Sequence, residues 1–539
     1  MSAARLLSLT LLALASLSFF GAASAHADWT ATGTFFYTDR TYGTSGWSGT
    51  SPEPVRRADV QVYDLATLQV LASGSTSDSG SFSIFVFDSQ TRNVAVRVLA
   101  STTQTPPLDL TVVDDLNNFA VYAFHDPSTD VIAHAPTLNV SFGTSTMPQA
   151  IGDIATTDWS SQVFNGFDML VRMADWIASV DGTPLARNCR MRWNPNNGRG
   201  GSSYGGGSNT VNLADDDGYD DPNILHELGH FVEDEFGRSR NTGGSHTLGD
   251  DDQDPRLAWS EGYATYISSA VLHHGSRPRP DVYSDRNSFG TTGGFSYAFE
   301  AGQVGGSTRE SAVTAALHDL VDAQATADGS PGSDDDSEAG LDLEVWSVTS
   351  EMRVRDLPAT NLEDFWDLWF ELGLGGQSAL ESIFGSHHID FFPDANEPNG
   401  TFDTATTLPT DGTVFENTFY APVGDPAADE DCFQFNAVAG TTYSIAVSGG
   451  GNTIFSRPDP EMFLFDALAG KLLAASFDPL DTSLNTQSSG SAQDMDETVP
   501  SLRWRAPASG VFHLMLRHAR RPLNRTRYGT YQLKVETVA

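Results

Sequence analysis

The hydrophobic repeat of this chain changes twice, and the change limits what the chain can fold into. Up to about Phe142, apolar and polar residues alternate in short runs between turn-forming residues, which predicts antiparallel strands. From Trp159 the apolar residues recur every three to four positions, which predicts helices that dominate to about Leu374. Strand-like alternation returns from about Asp394. The 539 residues allow two to four domains at about 150 residues each. We therefore predict a multidomain protein, with an α+β domain between two all-β sandwich domains.

The N-terminal strand-like region resembles a known accessory module. Its predicted strands are residues 34–37, 60–63, 82–86 and 94–98. The segments PVRRADVQV and TSDSGSF, which begin at Pro54 and Thr76, resemble the transthyretin-like module attached to carboxypeptidases and to many secreted bacterial proteins. The resemblance covers about residues 28–102 and implies a β sandwich that packs beside a catalytic domain without doing chemistry. Residues 103–150 contain more strand-like sequence, which we interpret as a β-rich connecting region.

The chain begins with the features of a signal peptide. Arg5 precedes an apolar run over 6–20, which gives way to small residues that end in Ala23-Ser24-Ala25. The alternative is a transmembrane anchor, since 6–25 could just span a bilayer, but the A-x-A ending favours cleavage. We predict a signal peptide over 1–25, with a cut after residue 27 as a second option. The mature protein is then expected to be secreted, either extracellular or periplasmic.

Charge and cysteine content restrict the partners and the source of stability. Acidic residues number 70 against 30 basic ones, which gives a formal net charge of -40. Such a charge repels nucleic acid and anionic membranes, so we expect neither as a partner once the signal peptide is removed. The two cysteines, Cys189 and Cys432, fall in different predicted domains and provide no disulfide framework. Stability should therefore come from packed cores, with bound metals as a second source.

The segment HELGH at 226–230 fits the pattern H-E-x-x-H. Residues four apart lie on the same face of a helix, so both imidazoles can reach one ion. A helix is independently supported, because Asp221 is a plausible N-cap, Pro222 suits the first turn, and apolar residues form one face before Gly237.

These residue types suit a hydrolytic zinc site. The neutral imidazoles of His226 and His230 bind Zn²⁺ well, and a third protein ligand leaves one position for a water whose pKa the ion lowers towards about 7. Glu227 can accept the proton of that water as it attacks a peptide carbonyl, and can then deliver the proton to the departing amine. The sequence thus predicts Glu227 as the general base of a zinc metallopeptidase.

A second helix follows HELGH, and thirty residues separate its Glu261 from His230. It contains AWSEGYATY, with Asp254 as a candidate N-cap and Pro255 at its first position. The two segments together resemble the gluzincin superfamily, which includes thermolysin, the fungalysins and aminopeptidases with an N-E-G-F-A motif. In that superfamily a glutamate on a later helix completes the zinc site. The resemblance implies Glu261 as the third ligand and a zincin-like metallopeptidase domain over 151–390.

The chain departs from the gluzincin pattern in two ways. The spacing of thirty residues is longer than in thermolysin or the aminopeptidases and closer to the fungalysins. Thr265 also stands where thermolysin and the fungalysins place an aspartate that orients a zinc histidine, so we expect that support to come from elsewhere. The aminopeptidase motif G-x-M-E-N does not occur, which favours an endopeptidase acting on protein or peptide substrates.

Peptide hydrolysis also requires a donor to the oxyanion, usually Tyr or His. His246, in a glycine-rich segment between the two predicted zinc helices, is the first candidate, with an ordinary loop histidine as the equal alternative. Tyr297 is the second candidate. Tyr263 and Tyr266 are expected to pack their helix, and His318, on an apolar helix, is expected to be a structural histidine.

The C-terminal region resembles the bacterial pre-peptidase C-terminal domain. Predicted strands lie at 433–435, 443–447, 512–516 and 531–535. The resemblance rests on NEPN at 396, DEDCF at 429, Ala439-Gly440 with Tyr443, Ala506-Pro507 with Ser509-Gly510, and GTY at 529. It covers residues 391–539 and implies an all-β sandwich of the kind that accompanies secreted peptidases. Cys432 stands where an aromatic residue is usual.

Acidic clusters lie beside both predicted zinc helices, at 215–217 with Asp220 and at 250–252. They could bind calcium, although no EF-hand spacing occurs and a solvated acidic surface is the simpler explanation. The Gly-, Ser- and Asp-rich stretch at 322–343 predicts a mobile loop.

Two hypotheses of function follow from the sequence. The first is a secreted zinc endopeptidase with accessory β domains. The second is a non-catalytic secreted binding or adhesion protein, in which the zinc domain is inactive or structural. Glu227 argues for the first, because a structural zinc site has four protein ligands and no need for a base.

Overall fold

The computed structural model of the chain describes most of its residues. They are 28–43, 46–103, 109–136, 138–148, 159–183, 187–251, 253–275, 277, 279–280, 282–285, 295–299, 302–322, 338–420, 429–449, 458, 460–466, 470–476, 500–518 and 527–538. The predicted signal peptide and most of the predicted loop at 322–343 lie outside these residues.

The first part of the chain is built from strands. They are β1 (Asp28–Gly43), β2 (Gly46–Pro54), β3 (Asp59–Asp64), β4 (Val70–Ser75), β5 (Ser81–Phe87), β6 (Arg92–Leu99), β7 (Ser101–Thr102), β8 (Leu110–Asp114), β9 (Ala120–Val121), β10 (Ala123–Phe124), β11 (Val131–His134) and β12 (Val140–Thr146). One sheet has the order β12-β1-β2 with β5 also on β1, and a second has the order β10-β6-β3-β4 with β11 also on β6. The four strands predicted before residue 102 are confirmed, and β5 shows strict burial of every second residue.

The strands at 103–150 do not form a separate connecting unit. β12 pairs in parallel with β1, and β10 and β11 pair with β6, so they complete the two N-terminal sheets. β8 instead pairs in parallel with β13 (Cys189–Trp193), in a third sheet with β14 (Ser203–Gly205) and β15 (Thr210–Asn212). The third sheet therefore joins the sequence before the first helix to the sequence after it.

Helices form most of the middle of the chain. They are α1 (Ser160–Asp181), α2 (Asp221–Glu235), α3 (Pro255–His273), α4 (Glu310–His318), α5 (Asp342–Arg355), α6 (Leu362–Glu371) and α7 (Gln377–Ser386). The helix predicted from Trp159 is confirmed, and it ends at Gly182 in the left-handed conformation that glycine adopts without strain. A hairpin of β16 (Val282–Asp285) and β17 (Phe295–Ala298), which was not predicted, interrupts the helices after α3.

One contiguous core, which we call the first core, runs through the N-terminal sheets and the helices. It includes Trp29 of β1, Val60 of β3, Phe167 of α1, Leu228 of α2 and Ile267 of α3, all buried. The helices that carry the candidate metal ligands therefore share their apolar packing with the N-terminal strands.

The C-terminal strands form two further sheets. The strands are β18 (Thr406–Thr407), β19 (Asp411–Phe419), β20 (Glu430–Ala437), β21 (Thr442–Gly449), β22 (Pro460–Phe465), β23 (Leu472–Ser476), β24 (Ser501–Arg505), β25 (Gly510–His518) and β26 (Gly529–Val538). The sheet orders are β18-β20-β25-β22-β23 and β19-β26-β21-β24. They enclose a second core of their own, with Phe433, Tyr443, Leu514 and Leu533 fully buried or nearly so. The predicted C-terminal strands are confirmed.

Among the described residues, the C-terminal region contacts helix α6 through the charged side chain of Arg527. The Arg527 guanidinium donates to Glu363 at 2.9 Å, to Asp364 at 3.1 Å and to Asp367 at 3.2 Å, all on α6. Tyr528 belongs to the first core and packs against Phe391 with ring centroids 5.5 Å apart. We call these contacts of Arg527 and Tyr528 the α6 contact.

Both cysteines are buried free thiols. None of the helices in the described part of the chain is long and apolar enough to span a membrane.

Candidate metal centre

Helix α2 begins one residue earlier than predicted. Asp220, not Asp221, is the N-cap, and its carboxylate accepts from the backbone N–H of Asn223 at 3.3 Å. Asp221 is already helical, and it accepts from the side-chain amide of Asn165 on α1 at 2.8 Å. Two adjacent aspartates are equally good caps by sequence, and the contact with α1 decides between them. On α3, the predicted cap is confirmed, because Asp254 accepts from the N–H of Arg256 at 3.0 Å.

The structure brings the three predicted ligands together. Nε2 of His226 and Nε2 of His230 each lie 3.2 Å from Oε2 of Glu261. Burial opposes ionisation of Glu261, but the two imidazoles outweigh it and hold its pKa well below the ordinary value. The carboxylate is therefore anionic at neutral pH.

A close approach of two helix backbones sets this spacing. A Cβ on Gly229 of α2 would lie 2.6 Å from Cα of Ala264 on α3, so only glycine fits at the crossing. A Cβ on Gly262 would likewise lie 2.7 Å from the side chain of Val313 on α4. Glycine at these two points lets α2 and α4 pack directly against α3, which carries Glu261.

The donor set and its dimensions fit a zinc ion. Two ligands bound about 2.0–2.1 Å from one ion at the tetrahedral angle lie about 3.3 Å apart, close to the observed separations. The three ligand atoms all lie within 4.8 Å of one another. Two imidazoles with one carboxylate form a typical catalytic zinc set, which leaves a fourth position free.

Thr265 contacts a candidate ligand, contrary to our expectation. Its Oγ1 lies 2.9 Å from Nδ1 of His226. The expectation that support for this histidine comes from elsewhere was wrong, because a hydroxyl oxygen can accept from an imidazole N–H as a carboxylate does. Thermolysin and the fungalysins, which this chain resembles, have an aspartate at this position. Here the neutral Thr265 contacts the histidine instead.

A second set of contacts surrounds His230. Nδ1 of His230 lies 3.3 Å from the hydroxyl of Ser260, which donates to Glu233 at 2.5 Å. The amide nitrogen of Asn241 lies 3.1 Å from the Ser260 hydroxyl and 3.2 Å from Oε1 of Glu261. Sequence reasoning missed Glu233, Ser260 and Asn241. The one available signal was that Ser260 directly precedes Glu261.

Glu227, the predicted base, is buried beside the two histidines. Burial raises its pKa, and His226 and His230 oppose that rise. The backbone of Tyr204 on β14, the edge strand of the third sheet, also opposes the rise of this pKa.

The first candidate for the oxyanion donor lies next to the cluster. Nε2 of His246 is 3.5 Å from Oε2 of Glu261 and 3.9 Å from Oε2 of Glu310, at the start of α4. About a third of the His246 side chain is exposed. Burial raises the pKa of Glu310, and the nearby His246 opposes the rise. Glu310 was missed because no motif surrounds it.

The second candidate lies on the hairpin. The Tyr297 ring is 5.5 Å from the Tyr283 ring, which is 6.4 Å from the ring of His226. Burial raises the pKa of Tyr297 well above its usual range. Tyr297 is therefore one aromatic ring away from the cluster.

The other aromatic residues considered in the sequence lie in the packed core. Tyr263 donates to Thr349 at 3.4 Å, and Tyr266 donates to Asp342 at 3.0 Å. His318 is buried and stacks on a phenylalanine with ring centroids 4.8 Å apart. Their contacts agree with the structural roles expected of all three.

Only part of the predicted acidic clusters comes together. Asp217 and Asp220 are joined by Asp285 of β16, with carboxylate oxygens within 4.8 Å of one another. Asp251 instead pairs with Arg309 at 2.9 Å, and residue 252 lies outside the described part of the chain. A third carboxylate group in the C-terminal sheets, Glu397 with Asp429 and Asp431, was not anticipated.

In the comparison with known proteins, one family matches the part of the chain that contains the candidate centre. Residues 176–363, about a third of the chain, match the family described as the Mycolysin C-terminal domain. This family is associated with metallopeptidases. The matched range includes His226, Glu227, His230 and Glu261.

Other similarities are partial. An uncharacterized protein of Archaeoglobus fulgidus is 32% identical over 154 residues, which cover 27% of this chain and 41% of the relative. The aligned region thus spans about two fifths of that relative's length. The pre-peptidase C-terminal domain of collagenase from Bacillus anthracis is 14% identical, covering 24% of this chain and 93% of its own, with a TM-score of 0.16. PliG of Salmonella Typhimurium, a periplasmic lysozyme inhibitor, is 12% identical, covering 25% and 98%, also with a TM-score of 0.16. TM-scores this low establish neither a shared fold nor a function.

Proposed function

We propose that this chain is a secreted zinc-dependent endopeptidase. The observation that carries the proposal is the meeting of two imidazole nitrogens and one carboxylate oxygen, from His226, His230 and Glu261, beside the buried carboxylate of Glu227. The match of the surrounding residues to a domain associated with metallopeptidases supports it.

When bound at this centre, Zn²⁺ would supply a Lewis acid that polarises the attacking water and the peptide carbonyl. Glu227 would accept the proton of the water and deliver it to the amine nitrogen of the departing peptide. Burial raises the pKa of Glu227, which strengthens it as a base. His226, His230 and Glu261 would do no proton transfer and would act as ligands.

Two residues are available to stabilise the oxyanion. His246 is the better placed, because its ring reaches the cluster directly and remains partly exposed to an incoming substrate. Tyr297 contacts the Tyr283 ring, which in turn lies 6.4 Å from the His226 ring. We therefore assign the donor role first to His246 and second to Tyr297.

The remaining elements of the proposal rest on the sequence. Export follows from the predicted signal peptide over 1–25, and the net charge of -40 favours protein or peptide substrates over nucleic acid. Calcium binding at Asp217, Asp220 and Asp285 also stays a prediction.

The test is Glu227→Gln, assayed with casein in the presence and absence of a zinc chelator. The change keeps the shape of the side chain but removes its capacity to accept a proton. We expect bound zinc to be retained and cleavage to fall by about 10²- to 10⁴-fold or more. Glu235→Gln, which changes a carboxylate of the same helix that pairs with Arg187 at 3.0 Å, is the matched control and should remain active.

Two results would contradict the proposal. Chelator-sensitive cleavage that survives in Glu227→Gln would exclude Glu227 as the base. A parent protein that binds zinc but cleaves neither casein nor peptides would favour the non-catalytic binding protein instead.

A further inference from the structure

The hydroxyl of Ser260 is the meeting point of three polar side chains. It lies 2.5 Å from Oε2 of Glu233, 3.1 Å from Nδ2 of Asn241 and 3.3 Å from Nδ1 of His230. Ser260 is fully buried on α3, and Glu233 lies one turn after His230 on α2. The group therefore bridges the two helices beside Nδ1 of His230.

Counting hydrogens fixes the direction of each bond. A hydroxyl has one hydrogen and two lone pairs, and an ionised carboxylate can only accept. Burial raises the pKa of Glu233 to about 7, and the hydrogen bond from Ser260 opposes the rise, so above that pH Glu233 only accepts and the hydrogen of Ser260 is donated to it. The Asn241 amide can only donate through Nδ2, and its orientation is set because its Oδ1 accepts from the N–H of Gly243 at 2.7 Å. The second lone pair of Ser260 is left for His230, which must donate from Nδ1.

The tautomer of His230 follows from this arrangement. With the hydrogen on Nδ1, the lone pair of a neutral imidazole is on Nε2. Nε2 is the atom that lies 3.2 Å from Oε2 of Glu261, in the cluster assigned above to zinc. The hydrogen bonds therefore place a hydrogen on Nδ1 of His230 and leave Nε2 as the nitrogen that a metal would bind.

We propose that Glu233, acting through Ser260, is a positioning residue that holds His230 in its Nδ1–H form with Nε2 directed at the metal. The proposal rests on the zinc centre of the proposed function. It also gives a role to the Glu233 side chain, which is only 2% exposed although burying a carboxylate without partners costs free energy. His226 is held differently, since its Nδ1 contacts the neutral hydroxyl of Thr265.

The test measures zinc affinity by competition with a chelating dye, with no substrate present. Glu233→Gln and Ser260→Ala should each weaken zinc binding by about 10- to 100-fold, the usual effect of losing such a partner. Glu233→Gln with Ser260→Ala should bind zinc no more weakly than Ser260→Ala, because Glu233 acts only through that hydroxyl.

Matched variants control for the loss of a buried group. Ser269→Ala removes a buried hydroxyl of the same helix that has no hydrogen-bond partner among the described residues. Glu235→Gln removes a carboxylate of the same helix as Glu233. Both should keep the zinc affinity within about twofold. The visible spectrum of the cobalt-substituted protein provides a second measurement, which should change in Glu233→Gln and stay unchanged in Glu235→Gln.

The outcomes separate this inference from the proposed activity. Parental zinc affinity and an unchanged cobalt spectrum in Glu233→Gln would overturn the positioning role, whether or not the protein cleaves casein. Additive losses in the double variant would also overturn it, because they would mean two independent effects. A parent that binds zinc without cleaving peptides, with the expected losses in the variants, would refute the activity and support the positioning role. A parent that binds no zinc would refute both.

Discussion

The N-terminal sheets and the C-terminal sheets are both β structure attached to the helices, but they are attached in different ways. The N-terminal sheets share the first core with α1, α2 and α3, and β8 pairs directly with β13. The C-terminal sheets enclose the second core, and among the described residues Arg527 and Tyr528, just before β26, contact α6. Alternation of apolar and polar residues predicted the strands in both regions, and resemblance to accessory modules assigned each region to a separate β sandwich, yet neither predicted that the N-terminal sheets share a core with the helices.

Removal of the N-terminal sheets should have the largest effect. A fragment of residues 159–393 would lose the strand β8 that pairs with β13 and the apolar partners of α1. We expect it to be insoluble or unfolded and to bind no zinc, as measured by soluble yield, circular dichroism and metal content. A soluble fragment that binds zinc stoichiometrically would mean that the first core is two separable cores.

Gly229→Ala should perturb the centre within the first core. The new Cβ would lie 2.6 Å from Cα of Ala264, a backbone atom of α3, so the overlap is relieved only if the two helices move apart. We expect a loss of about 1–3 kcal/mol in the free energy of unfolding, and weaker zinc binding as α2 moves away from Glu261. Urea unfolding and chelator competition measure the two effects.

The control for this variant lies in the C-terminal region. A Cβ on Gly400 would have the backbone oxygen of Glu430 as its nearest neighbour at 3.5 Å, an ordinary contact. Gly400→Ala should stay within about 0.5 kcal/mol of the parent and keep its zinc affinity. Equal effects of the two substitutions would show that the helix crossing does not set the ligand spacing.

Removal of the C-terminal sheets should leave an active protein. Phe391 belongs to the first core, so the cut is best placed after residue 393. The truncated chain loses the α6 contact, and we expect it to lose about 1–3 kcal/mol of stability but to keep zinc and chelator-sensitive cleavage. Insolubility of every truncation tried between residues 390 and 399 would show that the second core is needed for the first.

Arg527→Ala should produce the smallest effect, and one that depends on pH. Burial raises the pKa of Asp364 to about 7, and Arg527 opposes that rise. Loss of Arg527 should raise the pKa further. A carboxyl with a raised folded-state pKa takes up a proton on folding, so stability falls as the pH rises from its unfolded value to its folded value.

The cost of Arg527→Ala should accordingly be small at pH 5 and about 1–2 kcal/mol at pH 8, where the unpaired carboxylates are ionised. Arg517→Ala is the control, since Arg517 pairs with Glu461 at 2.8 Å within the C-terminal sheets. Thermal unfolding at the two pH values compares the variants. A cost that is equal at both pH values would mean that the α6 contact acts by packing alone.

Local patterns in the sequence predicted much of the fold and part of the candidate centre. The alternation of apolar and polar residues predicted the strands, and the i, i+4 spacing predicted that His226 and His230 lie on one helix face. The resemblance to gluzincins added Glu261, which the structure brings to within 3.2 Å of both. The roles of these residues as ligands stay predictions.

Contacts between distant elements could not be predicted in the same way. Glu310 reaches His246 only because α4 packs on α3 at Gly262, and nothing in the sequence around Glu310 indicates it. We expected no support for His226 from Thr265 because threonine carries no charge, although its hydroxyl is sufficient for the contact. In each case the missing information was the packing of one helix on another.

The two buried thiols can report separately on the opening of the first core and of the C-terminal sheets. Cys189 lies in the first core, and Cys432 lies in β20 of the C-terminal sheets. Burial raises the pKa of both thiols, that of Cys432 to about 12, so neither reacts while its surroundings are closed. With enough alkylating reagent to outpace reclosing, each thiol would be labelled at the rate at which its own region opens, so the chain would report the two opening rates without any engineered probe.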